Sequence, residues 1–170
     1  MSPAPPSRPA GLTLRAATPA DAEAVARLLN ILAPEVSGAP GIMTAEIARR
    51  DILSGALSLR AELAELQGFD APVGLAVHGP AYETAYAARG RYLQDLVVAP
   101  EARRQGVAEA LIARLARLTR DEGGGFLWWI NPDDMPSGRG LYQRVADIEE
   151  RSSSFALTRE AFQRLADTDR

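Results

Sequence analysis

Residues 96–108 read Leu-Val-Val-Ala-Pro-Glu-Ala-Arg-Arg-Gln-Gly-Val-Ala, and this stretch is the most informative in the chain. Apolar residues end a buried strand, a short turn containing proline follows, and a helix opens at Gly106. The first turn of a helix leaves N–H groups unpaired and carries partial positive charge, which favours a bound phosphate. Glycine lets an anion approach the backbone closely, and Arg103 and Arg104 add positive charge. An ordinary helix start with two solvated arginines has the same composition, so the motif R-x-x-G-x-A gains its weight from its position after a strand and before an amphipathic helix.

Working outward from this stretch, the chain alternates between strand and helix patterns. Apolar residues at helical spacing predict a first helix that begins after Thr18-Pro19 and is limited by Pro34. Residues 79–90 are polar and predict a loop. Strands are predicted at residues 12–15, 57–67, 72–77, 91–98, 126–130 and 153–157, and further helices at residues 44–53, from Gly106 to the glycine run at 123–125, at 139–145 and at 159–166. This order of elements predicts a single α+β domain.

The composition excludes several classes of site. The chain has no cysteine, which rules out disulfides, thiolate metal sites and a cysteine nucleophile. Its one histidine, His78, leaves little material for a Ser-His-Asp triad or a histidine-rich metal site, so no metal is expected. A net charge of −3 gives no general electrostatic reason to bind nucleic acid or an anionic membrane.

The N-terminal stretch and the hydropathy of the chain bear on its location. Residues 1–10 are rich in proline, serine and alanine and lack the apolar core of a signal peptide, so they predict a disordered leader ahead of one domain at residues 11–170. No apolar run reaches the roughly 18 residues expected of a transmembrane helix. We therefore expect a cytoplasmic protein.

Residues 94–111, Q-D-L-V-V-A-P-E-A-R-R-Q-G-V-A-E-A-L, resemble the central motif of the GNAT superfamily of N-acetyltransferases. In that family the signature R/Q-x-x-G-x-G/A binds the pyrophosphate of acetyl-coenzyme A (acetyl-CoA), and Arg103, Gly106 and Ala108 match it. The resemblance extends from Leu12 to about Leu157 and implies a mixed, mostly antiparallel central sheet flanked by helices. It also implies cofactor contacts along the loop and along the strand before it, through Arg103, Arg104, Gln105, Gly106, Val107 and Ala108 and through Leu96, Val97 and Val98.

Three segments are similar to the diamine and polyamine N-acetyltransferase branch: V-G-L-A-V-H, Y-L-Q-D-L-V-V and L-Y-Q-R-V-A-D-I. In that branch a Glu-Asp pair precedes the cofactor strand, whereas this chain has Gln94-Asp95. Because one carboxylate is missing, we expect the acceptor to be a small, moderately cationic primary amine, diamine or amino-acid-like, and not a strongly cationic polyamine. Gln94 and Asp95 are the predicted substrate-binding residues, together with Glu83.

A second part of the site is expected at Asn131 and Tyr142. Asn131 resembles the family's cofactor-contacting asparagine at the end of a strand, and Tyr142 resembles the tyrosine that lies near the cofactor's sulfur. A phenol with a pKa near 10 is a suitable acid for a departing thiolate, which makes Tyr142 the candidate catalytic residue. Without the resemblance, Tyr142 is an ordinary packing residue of a helix. The acceptor amine must also lose a proton, for which Asp95, Glu83 and His78 are candidates.

Three other functions remain open at this point. The chain could acetylate protein lysines or chain ends, which would require an open, acidic peptide groove. It could instead be a non-catalytic acyl-CoA-binding module that regulates a partner, or a structural domain whose glycine at the helix start is coincidental. The resemblance further implies a homodimer.

Overall fold

The computed structural model describes residues 9–132, 137–150 and 153–168. The strands of the described chain are β1 (Leu12–Ala16), β2 (Arg60–Leu66), β3 (Gly74–Glu83), β4 (Ala88–Val98) and β5 (Phe126–Trp128). The helices are α1 (Ala22–Ser37), α2 (Ala45–Ile47), α3 (Val107–Asp121), α4 (Arg139–Val145) and α5 (Arg159–Ala166). No helix of the described residues is long and apolar enough to cross a membrane.

The strands form one sheet in the order β1-β2-β3-β4-β5. The first four strands are antiparallel, and β5 runs parallel to β4 after the chain has crossed over through α3. Between β3 and β4 the register shifts: Val77 pairs with Asp95, but His78 pairs with Leu93. Gln94 is therefore the extra residue of a β-bulge, a feature that locally re-aims side chains in a strand. The mixed, mostly antiparallel sheet and the α+β class are those predicted from the sequence.

The helices cover both faces of this sheet, and the residues they bury form one apolar core. On α1 the buried side chains recur at helical spacing, and on α3 a second buried face packs against the sheet. Gly74 of β3 sets how closely α3 approaches, because a Cβ on Gly74 would lie 2.9 Å from a methyl carbon of Val107 and 3.2 Å from one of Leu111. Gly74 therefore lies on the sheet face that packs against α3. Its sequence neighbours on β3 lie on the opposite face, toward α1.

Several local predictions differ from the structure. The first helix does not stop at Pro34 but continues to Ser37, because the N–H of Gly38 donates to the Pro34 carbonyl at 3.0 Å and closes the last turn. Residues 79–90 are not a loop. They are the ends of β3 and β4 joined by a 3₁₀ turn, and this two-stranded ribbon is largely solvent-exposed, so it lacks an apolar pattern.

Two further elements depart from expectation at residues 44–53 and 153–157. A helix was predicted at residues 44–53, and these residues are helical. However, only Ala45–Ile47 form an α-helix, and Ala48–Leu53 form a π-helix. Residues 153–157 are not a strand, because no neighbouring strand pairs with them in the described chain. Of the leader predicted at residues 1–10, the first eight residues lie outside the described part, and Leu12 N donates to the Pro9 carbonyl at 3.3 Å in a turn before β1.

Candidate functional site

The turn after β4 holds two residues with positive φ. Val98 ends β4, a 3₁₀ turn at Pro100–Ala102 follows, and the backbone then passes through Arg104 at φ +60° and Gly106 at φ +79°. A positive φ is unusual for a residue with a side chain and is maintained only where the surrounding structure imposes it. The turn therefore holds two residues in the left-handed region directly before α3.

Residues 103–108, which we call the α3 cradle, present unpaired backbone N–H groups. The first turn of α3 has no intrahelical acceptors for its N–H groups, and Gly106 at the N-cap has no side chain to cap them. Val107 is buried against the sheet and anchors the turn, whereas Arg104 and Gln105 are exposed. A Cβ at Gly106 would project from this surface under strain. Open N–H groups, a helix N-terminus and an adjacent cation fit a phosphate group.

The two arginines of the α3 cradle have different roles. Arg103 donates from Nε to the Val98 carbonyl at 3.1 Å and from Nη2 to Glu35 Oε1 at 2.8 Å. It therefore ties the cradle to the end of β4 and to α1, and its charge already has a counter-ion. Arg104 makes no ion pair with a described residue and is the cation available to a ligand. The sequence did not distinguish the two.

Pro9, the first residue that the structure describes, lies against the α3 cradle. The ring of Pro9 lies so near Gly106 that a Cβ there would be 3.2 Å from Pro9 Cγ. Nothing in the sequence pattern indicated this contact, because residues 1–10 carry no periodic apolar signal.

The β5-facing edge of β4 is unpaired over its second half. In the described chain, β5 pairs with Gly90, Arg91 and Tyr92 and with no later residue of β4. The backbone at residues 93–98 therefore has no strand beside it on that side, and this open edge leads to the α3 cradle. Leu96 and Val98 are half-buried and Val97 is buried. An extended ligand carrying amide groups can hydrogen-bond to such an edge as a strand would.

Asp95 and Gln94 lie beside this open edge. Gln94 is exposed at the bulge, whereas Asp95 pairs with Val77 on the sheet face that packs against α1. Asp95 is half-buried and makes no hydrogen bond or ion pair with a described residue. Burial raises the pKa of the Asp95 carboxyl above its ordinary value. A carboxylate without a partner in such a position can bind a cation or accept a proton.

Tyr142 and Asn131 follow β5. Tyr142 lies on α4, half-buried, with its ring centroid 5.5 Å from that of Trp129 and the planes tilted by 53°. Burial raises the pKa of the Tyr142 hydroxyl, so the group remains protonated at neutral pH. Asn131 is half-buried, with Nδ2 at 3.5 Å from the Pro132 carbonyl, a long contact for a hydrogen bond.

Glu83 is not brought together with the other candidates. It ends β3, and its carboxylate accepts a hydrogen bond from the Ala85 N–H at 3.1 Å, which caps the turn between β3 and β4. Val77, the partner of Asp95, is six residues away along β3, about 20 Å at the usual strand rise. His78 is also separate: it is fully buried on the α3 face of the sheet. No group of side chains in the described residues could hold a metal ion.

Comparisons with known proteins identify a family and similar folds. The model of the acetyltransferase (GNAT) family matches residues 44–146, more than half of the chain. No curated protein sequence gives a significant match. Similar solved structures include a ribosomal-protein-alanine N-acetyltransferase from Brucella melitensis biovar Abortus 2308, which is 23% identical with a TM-score of 0.71 and covers 85% of this chain and 97% of its own.

Two aminoglycoside acetyltransferases are similar as well. One comes from an uncultured soil metagenomic sample and is 17% identical with a TM-score of 0.73, covering 88% of this chain and 97% of its own. The other, AAC(6')-Iy in complex with CoA, is 22% identical with a TM-score of 0.70, covering 87% of this chain and 95% of its own. At these identities the likeness establishes the fold, and the acceptors named for these proteins are theirs.

Proposed function

The chain belongs to the acetyltransferase (GNAT) family, and we propose that it transfers the acetyl group of acetyl-CoA to the primary amine of a small molecule. Acetyl-CoA supplies an activated thioester and a free thiolate leaving group. The observation that carries the proposal is the continuity of the open β4 edge with the α3 cradle. The open edge ends at Val98, whose carbonyl accepts a hydrogen bond from Arg103 of the cradle, and the two features offer an extended backbone for pantetheine and N–H groups for phosphates.

In this proposal the chain's own backbone does most of the binding. The N–H groups of Arg104, Gln105, Gly106, Val107 and Ala108 hold the phosphates, with Arg104 as the neighbouring cation and Arg103 holding the turn in place. The strand residues Leu96, Val97 and Val98 align the pantetheine arm, and Asn131, three residues after the end of β5, is a further cofactor contact. A strand N–H near Val97 or Val98 donates to the thioester oxygen as that oxygen gains charge, a contribution that is usually the largest single one in acyl transfer.

Asp95 recognises the acceptor. An alkylammonium has a pKa near 10.4 and must lose a proton before its nitrogen can attack. Asp95 has no partner within the described residues, and its burial-raised pKa makes it a better proton acceptor than an exposed aspartate. It accepts this proton directly or through water. Because Gln94 is neutral, the site attracts a moderately charged diamine or amino-acid-like amine more than a long polyamine.

As the C–N bond forms and the C–S bond breaks, Tyr142 donates a proton to the departing thiolate, and the proton that the nitrogen loses on becoming an amide restores the phenol. Its hydroxyl is protonated at neutral pH, and packing against Trp129 limits the positions of its ring. A thiol with a pKa near 8.5 is a stronger acid than the phenol, so transfer of a proton from the phenol to the thiolate is unfavourable in water. The transfer is needed mainly where the thiolate is released in a poorly solvated site.

The proposed function is tested by incubating the protein with acetyl-CoA and a library of amines, amino acids and peptides, and detecting acetylated products by mass. We expect products from small primary amines. Products from peptides alone would indicate a protein N-acetyltransferase. Binding of CoA without any product would indicate a regulatory module, and absence of CoA binding would overturn the proposal.

We also propose a homodimer. Support comes from large apolar side chains exposed near the carboxyl end, including Phe155, Phe162 and Leu165, which a partner surface would cover. Sedimentation analysis across a range of concentrations tests this, and a monomer at all of them would contradict it. The cytoplasmic location remains a proposal, tested by fractionating cells that produce the protein.

A further inference from the structure

A cavity lies at the opposite end of β4 from the α3 cradle. Its volume is about 550 Å³. Arg91 on its wall is seven residues before Val98, about 23 Å away at the usual strand rise. The cavity is bounded by the start of β2, the β3–β4 ribbon and the end of α3, and the charged side chains that line it are Arg60, Arg89, Arg91 and Glu122. The proposed acetyl transfer uses none of them.

Arg91 is the unusual member of this set. It is only 4% exposed, and its Nη1 lies 3.1 Å from Nδ1 of His78, which is fully buried. Arg91 Nη2 lies 2.5 Å from Glu122 Oε2 in an ion pair, whereas Arg91 Nε has no hydrogen-bond partner among the described residues. A buried guanidinium with an unused donor is costly, so such a group in the wall of a cavity points to an anionic ligand.

The carboxylate of Glu122 indicates that the arginines of this cavity bind an oxyanion. Its carboxylate bridges two arginines, with Oε1 2.8 Å from Arg60 Nη1 and Oε2 next to Arg91. The interactions with Arg91, and with Arg60 after it, hold the pKa of Glu122 below its ordinary value. An oxyanion therefore fits between these guanidinium groups, and Glu122, half-exposed at the end of α3, occupies part of that position.

The charge of the cavity is not balanced by Glu122 alone. Three arginines face one carboxylate, and Arg89 makes no side-chain hydrogen bond or ion pair with a described residue. The partial negative charge at the carboxyl end of α3 is reduced, because the N–H groups of Glu122, Gly123 and Gly124 donate to the last carbonyls of the helix. The cavity therefore has an excess of two positive charges.

We propose that this cavity binds a small oxyanion, a phosphate or carboxylate group, which contacts Arg60 and Arg89 and competes with Glu122 for Arg91. The site is separate from the α3 cradle and does not depend on acetyl transfer. Bidentate contacts between guanidinium groups and oxyanions give both affinity and geometric selectivity.

The test is a titration of the ¹⁵N-labelled protein with inorganic phosphate in the presence of saturating CoA, at constant ionic strength set with chloride. We expect saturable shifts of the amide signals of Arg89, Gly90 and Gly124, with a dissociation constant of about 1 mM. Signals of residues 103–108 should not follow the same curve. Citrate, titrated in the same way, distinguishes a carboxylate preference from a phosphate preference.

Three variants sharpen the test. Arg89→Gln removes the exposed, unpaired cation and should raise the dissociation constant for phosphate about tenfold. Glu122→Gln removes the internal competitor and should lower it. Arg117→Gln, an equal charge change on the exposed face of α3 outside the cavity, should leave it unchanged. Absence of saturation, or equal effects of Arg89→Gln and Arg117→Gln, would overturn the proposal.

Discussion

The rings of Trp129 and Tyr142 pack against each other at a centroid distance of 5.5 Å and an angle of 53°. This tilted arrangement is one that aromatic pairs favour, and it restricts the Tyr142 side chain without using its hydroxyl. Gly138 restricts the ring from another side, because a Cβ there would lie 2.8 Å from Tyr142 Cε2. The ring is therefore held by packing, and its hydroxyl makes no hydrogen bond with a described residue.

Replacing Tyr142 by phenylalanine should lower kcat about a hundredfold, since a general acid contributes roughly that much or more. The melting temperature and the affinity for CoA should be unchanged, because phenylalanine preserves the ring contact with Trp129. Stopped-flow measurement of thiol release in a single turnover isolates the chemical step. Tyr82→Phe, a change at an exposed tyrosine on β3, is the control. Full single-turnover activity in Tyr142→Phe would make Tyr142 a packing residue.

Replacing Gly106 by glutamate should raise the dissociation constant for CoA at least about tenfold. Any side chain at φ +79° is strained, and the new carboxylate would repel phosphates. Gly123→Glu is a matched control, because Gly123 has the same φ of +79° at the other end of α3 and nothing lies within 4 Å of its Cβ position. Calorimetry on both folded variants makes the comparison. Equal CoA affinities would remove the α3 cradle from the phosphate site.

Replacing Asp95 by asparagine should raise the stability of the protein and lower its activity. Because burial raises the pKa of Asp95 above its value in the unfolded chain, the folded protein binds this proton more tightly, and ionisation at Asp95 lowers stability as the pH rises through that pKa. Asp95→Asn should therefore increase the free energy of unfolding at pH 7.5 relative to wild type, and this gain should shrink toward pH 4. Urea titrations at both pH values measure it.

The same variant should lower kcat/KM for a cationic amine about tenfold or more, the usual cost of losing a charged hydrogen-bond partner. Gln94→Glu should act in the opposite direction and shift preference toward diamines. If neither variant alters the order of preferred amines, the sheet face at Asp95 does not contact the acceptor.

Replacing Glu62 by glutamine should destabilise the fold by about 3 kcal/mol. Glu62 is buried between Arg114, whose Nε donates to it, and His78, whose Nε2 lies 3.8 Å from Oε1. Burial raises the pKa of Glu62, but the interactions with His78 and Arg114 outweigh burial and lower that pKa overall. The stabilisation is thus present above the unfolded-state pKa and is lost as the pH falls through the lower folded-state pKa.

Urea unfolding at pH 7 and at pH values well below the ordinary glutamate pKa of about 4.3 measures this loss. Glu65→Gln on the same strand is the control, because its ion pair with Arg15 is far less buried than that of Glu62 and should contribute less, about 1 kcal/mol or below. Equal effects of the two variants would mean that the buried cluster carries no special stabilisation.

The sequence predicted the elements whose apolar spacing is regular and failed where that signal is absent. The buried faces of α1 and α3 have clear helical periods and β4 contains an apolar run, so these elements were predicted, although α1 continues past Pro34 and β4 begins at Ala88, before residue 91. The β3–β4 ribbon is exposed on both sides near Glu83 and Arg89, so it has no apolar alternation, and a polar loop was predicted instead. At residues 153–157 the local pattern favours a strand, but strand formation requires a neighbour that the local sequence does not specify.

The candidate site was predicted in part for the same reason. The strand-to-helix junction at Gly106 is a local pattern and can be recognised from neighbouring residues. The bulge at Gln94, the counter-ion of Arg103 and the burial of Arg91 depend on pairings between distant segments, such as Arg103 with Glu35. Those pairings result from the register of the sheet and the packing of the helices, which short motifs do not encode.

The contact of Pro9 with Gly106 has a practical consequence for any preparation of the protein. A purification tag or fusion partner joined upstream is tethered beside the backbone that we assign to the cofactor's phosphates. An acidic tag would repel the phosphates of CoA there, and a histidine tag would add a cation whose charge depends on pH. The measured CoA affinity would then depend partly on the tag. Attaching the tag at the carboxyl end avoids this tether, and comparing the two preparations gives the size of its effect.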